Sequence, residues 1–502
     1  MAKESIESSL IAALGQSKVF LSSDLLDQYA SSIHGKICPP LAVVRPVSEL
    51  EDITLVRLAN EFQFSIFPIS RGKNLGYGDA HGTTSGQVIL DLSLMNDILE
   101  VDDKLCFATI QPGVSQKQLF DHISDKKLNL QMDVTGAGLE ASIVGNVLER
   151  GFGHTDYGDR YSRIINIRIV LMNGEVFSTG FAEHEHADAK NCYRTGIGPS
   201  LEGLFSQSNF GIITAMTIEM MPVPEKTVMF AVSAQTKSDL RGIILAIREL
   251  KLNGIVQSAV HVANRSRAVG SSKGKLIGHW NLSGSIAGPK ALVAARKKLV
   301  RKVFNKHLSG HRLVFLESWS IRFLDWINKS IIPLSFMAPV KEVFQEQNGI
   351  PTDDPLRTLL DDRNATSASI SIGNHPVCFG WINAVCKADP DSIFRAVELM
   401  EDLFNRNGYE FRVTMTAVNP RTFILISNIT YPREKEAIEK ALAFKHQCYD
   451  MLNKHGFLPY RSGSGMFEDL PEYSPSKKIL LHQLKSILDP NNLLAPGKYN
   501  IN

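Results

Sequence analysis

A chain of 502 residues, at about 150 per domain, holds two or three domains and buries enough core to need no disulfide or metal staple. Its composition, 44% hydrophobic and 21% charged with no low-complexity tract, excludes disorder, collagen and coiled coil as the main architecture. Fifty-four Lys and Arg against 52 Asp and Glu leave a charge of +2, too balanced for nucleic acid or an anionic membrane as the principal partner.

The first residues, MAKESIESSLIAALGQ, carry Glu4 and Glu7 where a signal peptide needs positive charge and an apolar run. Residues 42–125 then read as an α+β unit. Ser48-x-x-Glu51 predicts a capping box opening a helix with the apolar stripe Leu50, Ile53, Val56 and Phe62. FSIFPI (64–69) predicts a buried strand, followed by the glycine-bearing loop SRGKNLGYGDAHGTTSG. VILDL (88–92) and LCFATIQ (105–111) predict further strands, and Ser115-x-x-Gln118 opens a second helix. Residues 160–222 alternate short strands and turns, and Pro222 and Pro224 suggest a boundary. Beyond it, helical periodicity at 236–251, 288–307, 391–407 and 432–455, with strand character at 369–373 and 411–427, predicts a second α+β domain. The tail from Gly456 is rich in turn formers and is expected to return to the first unit. No apolar run reaches 18 residues; IIPLSFMAPV (331–340) is broken by two prolines. Six scattered cysteines form no CxxC or zinc spacing, which with the N-terminus reads as a cytoplasmic protein without a metal site. His184, His186 and Asp188 fall in so polar a segment that an exposed loop is expected there.

Three glycine-bearing segments suit a phosphate-containing cofactor. The loop Ser70-Arg71-Gly72-Lys73-Asn74-Leu75-Gly76-Tyr77-Gly78 directly follows a buried strand, where glycines let backbone N–H groups cradle an anion. Gly136-Ala137-Gly138-Leu139-Glu140-Ala141 formally matches a dinucleotide fingerprint. LNLQMDV before it is a poor parallel strand, however, and no acidic residue ends a following strand, so a Rossmann unit is not expected. In SIVGNVLERGFGHTDYGDR (142–160), Gly145-Asn146 opens a short helix that stops at Gly151.

Taken together and in order, PISRGKNLGYG, SIVGNVLERGFGHTDYGDR, YRTGIGPSLEGLFSQSNFGIITAM, PYRS and LDPNNLLAPGK resemble the vanillyl-alcohol oxidase and para-cresol methylhydroxylase flavoproteins, over about residues 40–500. The resemblance implies an α+β, two-domain flavoprotein: a PCMH-type FAD-binding domain at 1–225 completed by 457–502, and an α+β cap domain at 226–456. It assigns Ser70, Arg71, Gly72, Lys73, Asn74, Leu75 and Gly76 to the FAD pyrophosphate, with Gly136, Ser142, Gly145, Asn146, Gly211, Ile212 and Ile213 along the flavin and Lys498 near its phosphate or ribityl chain. Tyr77, Tyr460 and Arg461 match the set that binds a phenolic substrate as phenolate. The implied activity is hydride transfer from the benzylic or carbinol carbon of a small aromatic substrate to flavin N5. Dioxygen or a protein is the electron acceptor, no membrane span is implied, and a homodimer is the common assembly of such proteins.

Two departures qualify the match. FRVTMTAVNPRTFILISNI (411–429) places Phe423 and Ile424 where relatives carry the His or Tyr that attaches FAD, so non-covalent FAD is expected. DVTGAGLEAS puts Gly136 near the place of the family's N5-proximal aspartate, leaving Glu140 and His154 as candidate acid/base residues. Two alternatives stay open: the same flavin with a non-phenolic alcohol, hydroxy acid or natural-product substrate, and a catalytically idle flavin-fold binding protein.

Overall fold

Three larger sheets organise the described residues, one largely parallel and two antiparallel. The structure, a computed structural model, describes residues 2–269, 277–331, 337–360, 362, 364–370, 375–463 and 466–502. The first sheet has four strands in the order Val19–Phe20, Ala42–Val44, Val88–Asp91, Ile66–Ile69, the last three parallel. Its strands are buried on both faces, as continuous apolar runs such as Val88-Ile89-Leu90 require. The second sheet is antiparallel, ordered Val176–Ser178, Ile164–Val170, Ile212–Glu219, Phe107–Ile110, Ile98–Asp102. C-terminal residues join the first sheet, where Ile66 N–H donates to Leu493 O at 2.8 Å and Ala495 N–H to Ile66 O at 2.7 Å.

The third sheet has seven antiparallel strands: Arg312–Leu316, Lys226–Ala234, Trp280–Gly288, Val260–Asn264, Val413–Ala417, Thr422–Pro432 and Val377–Lys387. Period-two alternation sorts its side chains. Val260, Val262, Leu282, Val413 and Met415 enter a core shared with the helices Leu240–Leu252, Lys290–His307, Pro390–Arg406 and Lys435–Lys454. The intervening His261, Ala263, Asn281, Ser283, Thr414 and Thr416 line a void on the opposite face.

The first helix differs from its predicted stripe. It spans Glu49–Phe62 but buries Asp52, Leu55, Val56 and Ala59, and Leu50 is 70% exposed. Ser48 makes no side-chain cap; Glu51 reaches back instead, accepting from Val47 N–H and pairing with Lys18, which turns Leu50 outward. The expected helix at 116–125 forms with Ser115 Oγ accepting from Gln118 N–H at 3.1 Å. Most of the strand expected at 369–373, and part of the apolar run 331–340, lies outside the described residues.

Candidate active site

The loop after Ile66–Ile69 folds into a small hairpin in which Lys73–Asn74 pairs with Gly78–Asp79. Gly72 holds φ +61°, and a Cβ there would lie 2.4 Å from Ala80 Cβ, so only glycine suits this turn. Asp79 pins the tip, accepting from Gly76 N–H at 2.8 Å and Ile33 N–H at 3.0 Å. The base of the hairpin faces a cleft of about 1070 Å³. Ser70, Arg71, Gly72, Lys73 and Asn74 line it with Ser142, Gly145, Asn146, Gly211, Ile212, Ile213 and Lys498. Ser142 caps the short helix Ile143–Leu148, donating to Pro112 O at 2.7 Å and accepting from Gly145 N–H at 3.0 Å. A Cβ on Gly145 would lie 2.9 Å from Ser70 Oγ, so the glycine keeps the helix against the loop. Lys498 Nζ lies 2.9 Å from Glu149 Oε1. Backbone amides, serine hydroxyls and three cationic side chains around this cleft fit the diphosphate and ribityl chain of a flavin dinucleotide.

The hairpin tip points elsewhere. Leu75 lines a second void, its carbonyl accepting from Trp381 Nε1 at 2.9 Å. Gly76 packs on Trp381, and His34 Nε2 lies 3.0 Å from its carbonyl. Both residues therefore lie off the cleft lining to which the sequence assigned them, because the hairpin turns its tip toward the seven-stranded sheet. Gly136 likewise lines the second void, beside Pro355. The two voids meet where both are lined by Asn74 and Tyr77.

At that junction Tyr77, Tyr460 and Arg461 come together. The Arg461 guanidinium stacks 3.6 Å from the Tyr77 ring centroid and 5.0 Å from that of Tyr460. Trp381 covers the ring of Tyr77, parallel within 1° at 5.7 Å. Burial pushes both tyrosine hydroxyls above their ordinary range, so they remain O–H donors at neutral pH. Tyr460 Oη is buried beside the Tyr77 hydroxyl and the Arg461 guanidinium, and Arg461 Nε and Nη1 meet no acceptor among the described residues, so donors converge on one spot.

Asn383, which the sequence reading missed, positions this group. Fully buried on Val377–Lys387, it accepts from Tyr460 N–H at 3.1 Å and donates to Arg461 O at 3.1 Å and Tyr449 Oη at 3.1 Å. An asparagine inside the apolar strand VCFGWINAVCK was its one sequence signal.

Also lining the second void, His154 and His261 stack with centroids 4.6 Å apart, and His154 Nε2 lies 3.4 Å from Glu346 Oε2. Burial drives His154 down to about 4 and Glu346 up to about 8, Asp354 and Asp133 adding to the latter. Glu342 and Arg267 line the same void. Glu140 is not brought there: its carboxylate pairs with Arg71, whose Nη1 also donates to Gly113 O at 3.0 Å, and it lines neither void. The carboxylate beside a loop arginine is thus consumed in anchoring that loop.

A sequence profile described as an FAD binding domain matches residues 40–180. The substrate-bound crystal structure of p-cresol methylhydroxylase superposes with a TM-score of 0.89 at 26% identity, covering 100% of this chain and 97% of that one. The flavoprotein subunit of 4-cresol dehydrogenase (hydroxylating) from Pseudomonas putida is 27% identical over 98% of this chain and 94% of its own. The chain thus resembles the vanillyl-alcohol oxidase and p-cresol methylhydroxylase flavoproteins over nearly its whole length. It is an FAD-dependent oxidoreductase with the two-domain α+β fold of those flavoproteins. A further relative, 1'-carboxy-chondrochloren decarboxylase from Chondromyces crocatus, is 29% identical over 91% of this chain and 90% of its own. Among the described residues no helix is long and apolar enough to cross a membrane.

Proposed function

We propose that the chain takes hydride from the benzylic or carbinol carbon of a small para-substituted phenol or aromatic alcohol, held as its phenolate. One observation carries this reading: the buried Tyr460 hydroxyl and the Arg461 Nε and Nη1 donors, which meet no acceptor among the described residues, converge with Tyr77 where the aromatic void meets the cofactor cleft. FAD, when bound, supplies the hydride acceptor. Arg461 offsets the phenolate charge, and Tyr77 and Tyr460 donate to its oxygen. The ring then releases electron density toward the para carbon, and loss of hydride leaves a quinone methide. Trp381 and the apolar side chains of Leu75, Leu356 and Leu359 keep bulk water from the ring. The test is whether free phenols reduce the bound flavin while their O-methyl ethers do not.

In the same reading residues 1–225 with 457–502 form the cofactor unit and 226–456 the cap. Every strand of the seven-stranded sheet falls between Lys226 and Pro432, which supports the division. FAD is held without a covalent bond. Among the described residues the cleft is lined by no histidine or cysteine, and its tyrosine, Tyr77, is stacked between Arg461 and Trp381.

Arg267 favours a second reading. This guanidinium lines the void, donates to Asn428 Oδ1 at 2.9 Å, and forms no ion pair among the described residues. A phenol whose side chain ends in a carboxylate would satisfy it, and the relative from Chondromyces crocatus is named for removing a carboxyl group. Once hydride has left the benzylic carbon, the electron pair of an adjacent C–COO⁻ bond forms the alkene, CO₂ departs and the ring returns to phenolate. Incubation with 3-(4-hydroxyphenyl)propanoate is expected to release CO₂ and 4-vinylphenol, and Arg267→Met to weaken that substrate's KM about tenfold or more without affecting 4-ethylphenol. A carboxylate substrate processed equally well by the variant removes Arg267 from recognition.

A further inference from the structure

The lining of the aromatic void carries a second set of unsatisfied polar atoms. Glu346 Oε1, His154 Nδ1 and His261 Nε2 are all buried without a partner among the described residues. All three residues line the void. Their other atoms are committed: Glu346 Oε2 faces His154 Nε2 at 3.4 Å, and His261 Nδ1 meets Thr416 Oγ1 at 2.9 Å. Glu346 is 3% exposed, on the face of helix Met337–Gln347 that also carries Glu342 one turn earlier. A carboxyl placed there without a cation partner is costly as a bare anion, so the arrangement stores a proton that can be exchanged.

We propose that Glu346 is the acid/base of this pocket, with His154 as its positioning partner and His261, fixed by Thr416, as the wall that holds His154 in place. This rests on the phenol reading given above and extends it to the fate of the quinone methide. The Glu346 carboxylate takes a proton from the side chain's β-carbon: the C–H bond breaks, its electron pair forms the alkene, the ring regains its phenolate, and an O–H bond forms on Glu346. Alternatively it takes a proton from water as the water oxygen bonds to the methide carbon, giving the carbinol. No further oxidant is needed, because the two electrons left with the hydride.

The charged neighbours set the direction of the pH response. Asp133 and Asp354 face Glu346 and Glu342 shares its helix, while Arg160 and Asp133 flank His154 and Arg267 faces Glu342. With Glu346 near 8, the proton-accepting form is a minority at pH 7 and grows as pH rises through that value.

Two readouts on the FAD-loaded enzyme decide the matter. Infrared difference spectra are expected to show a protonated-carboxyl carbonyl stretch at pH 7 that is lost by pH 9 and is absent from Glu346→Gln. His154→Phe should move its midpoint away from 8. In anaerobic stopped flow with 4-ethylphenol, Glu346→Gln is expected to reduce flavin within about threefold of the wild-type rate but to prolong the quinone-methide absorbance at least tenfold, and Glu346→Asp to restore part of the decay. A carboxyl band unchanged in Glu346→Gln, a midpoint unmoved by His154→Phe, or equal decay of the methide overturns the assignment. If no phenol reduces the wild-type flavin, the phenol reading falls, and the infrared arm still decides whether Glu346 holds the exchangeable proton.

Discussion

Replacing Arg461 by alanine is expected to lower kcat/KM for a para-alkylphenol about a thousandfold at pH 7 while the protein stays fully loaded with FAD. The magnitude follows from the substrate. A phenol ionises near pH 10, so binding it as phenolate at pH 7 takes roughly 4 kcal/mol, most of which falls to Arg461, the cation stacked on Tyr77 and Tyr460. The deficit should shrink as pH rises toward about 10, because free substrate then arrives already ionised. Arg461→Lys keeps the charge but not the flat stack on Tyr77, and should fall between alanine and wild type. Wild-type turnover in Arg461→Ala, with no change in pH profile, would remove the residue from the chemistry.

The second large effect belongs to the cofactor cleft. Acid precipitation of the wild-type protein is expected to leave a colourless pellet and all of its FAD in the supernatant, and Gly145→Val to purify colourless. Gly145 begins the helix capped by Ser142, and even a Cβ would press on Ser70 Oγ at 2.9 Å. Valine's further methyl groups would separate loop from helix or fill the cleft they line. Weakening of FAD affinity by about a hundredfold or more is expected, measured by fluorescence titration of stripped protein, with the far-ultraviolet dichroism of the fold unchanged. A yellow pellet in the first experiment contradicts non-covalent binding; a wild-type FAD affinity in the second contradicts the placement of the cleft.

Much of this arrangement is legible in the sequence, and the residues that are not share a physical reason. The loop Ser70–Gly78 announces itself through glycine spacing after a buried strand, and Tyr460-Arg461 through a short local motif. Local patterns also fix the four long helices between Leu240 and Lys454, whose apolar periodicity is strong. Asn383, His261, Glu346 and Arg267 carry no such signal. Each becomes significant only when tertiary packing brings together residues distant in sequence, as where Val260–Asn264 pairs with Val413–Ala417. Glu346 reads in isolation as a solvated charge on an amphipathic helix; tertiary burial makes it an acid. Glu140 shows the converse error, since a carboxylate in the right motif was expected near the substrate and is instead held by Arg71. Leu50 fails for a similar reason: the first turn is set by Glu51 with Lys18 and Val47, which the apolar pattern alone does not encode.

In this mechanism the substrate reacts as a phenolate held by Tyr77, Tyr460 and Arg461. Its most direct test is anaerobic mixing of the yellow protein with 4-ethylphenol and vanillyl alcohol beside their O-methyl ethers, with lactate as an unrelated donor, following the flavin's visible absorbance. The account predicts bleaching by the free phenols alone, since an ether oxygen cannot ionise. Bleaching by the ethers at comparable rates, or by lactate in place of the phenols, would contradict it.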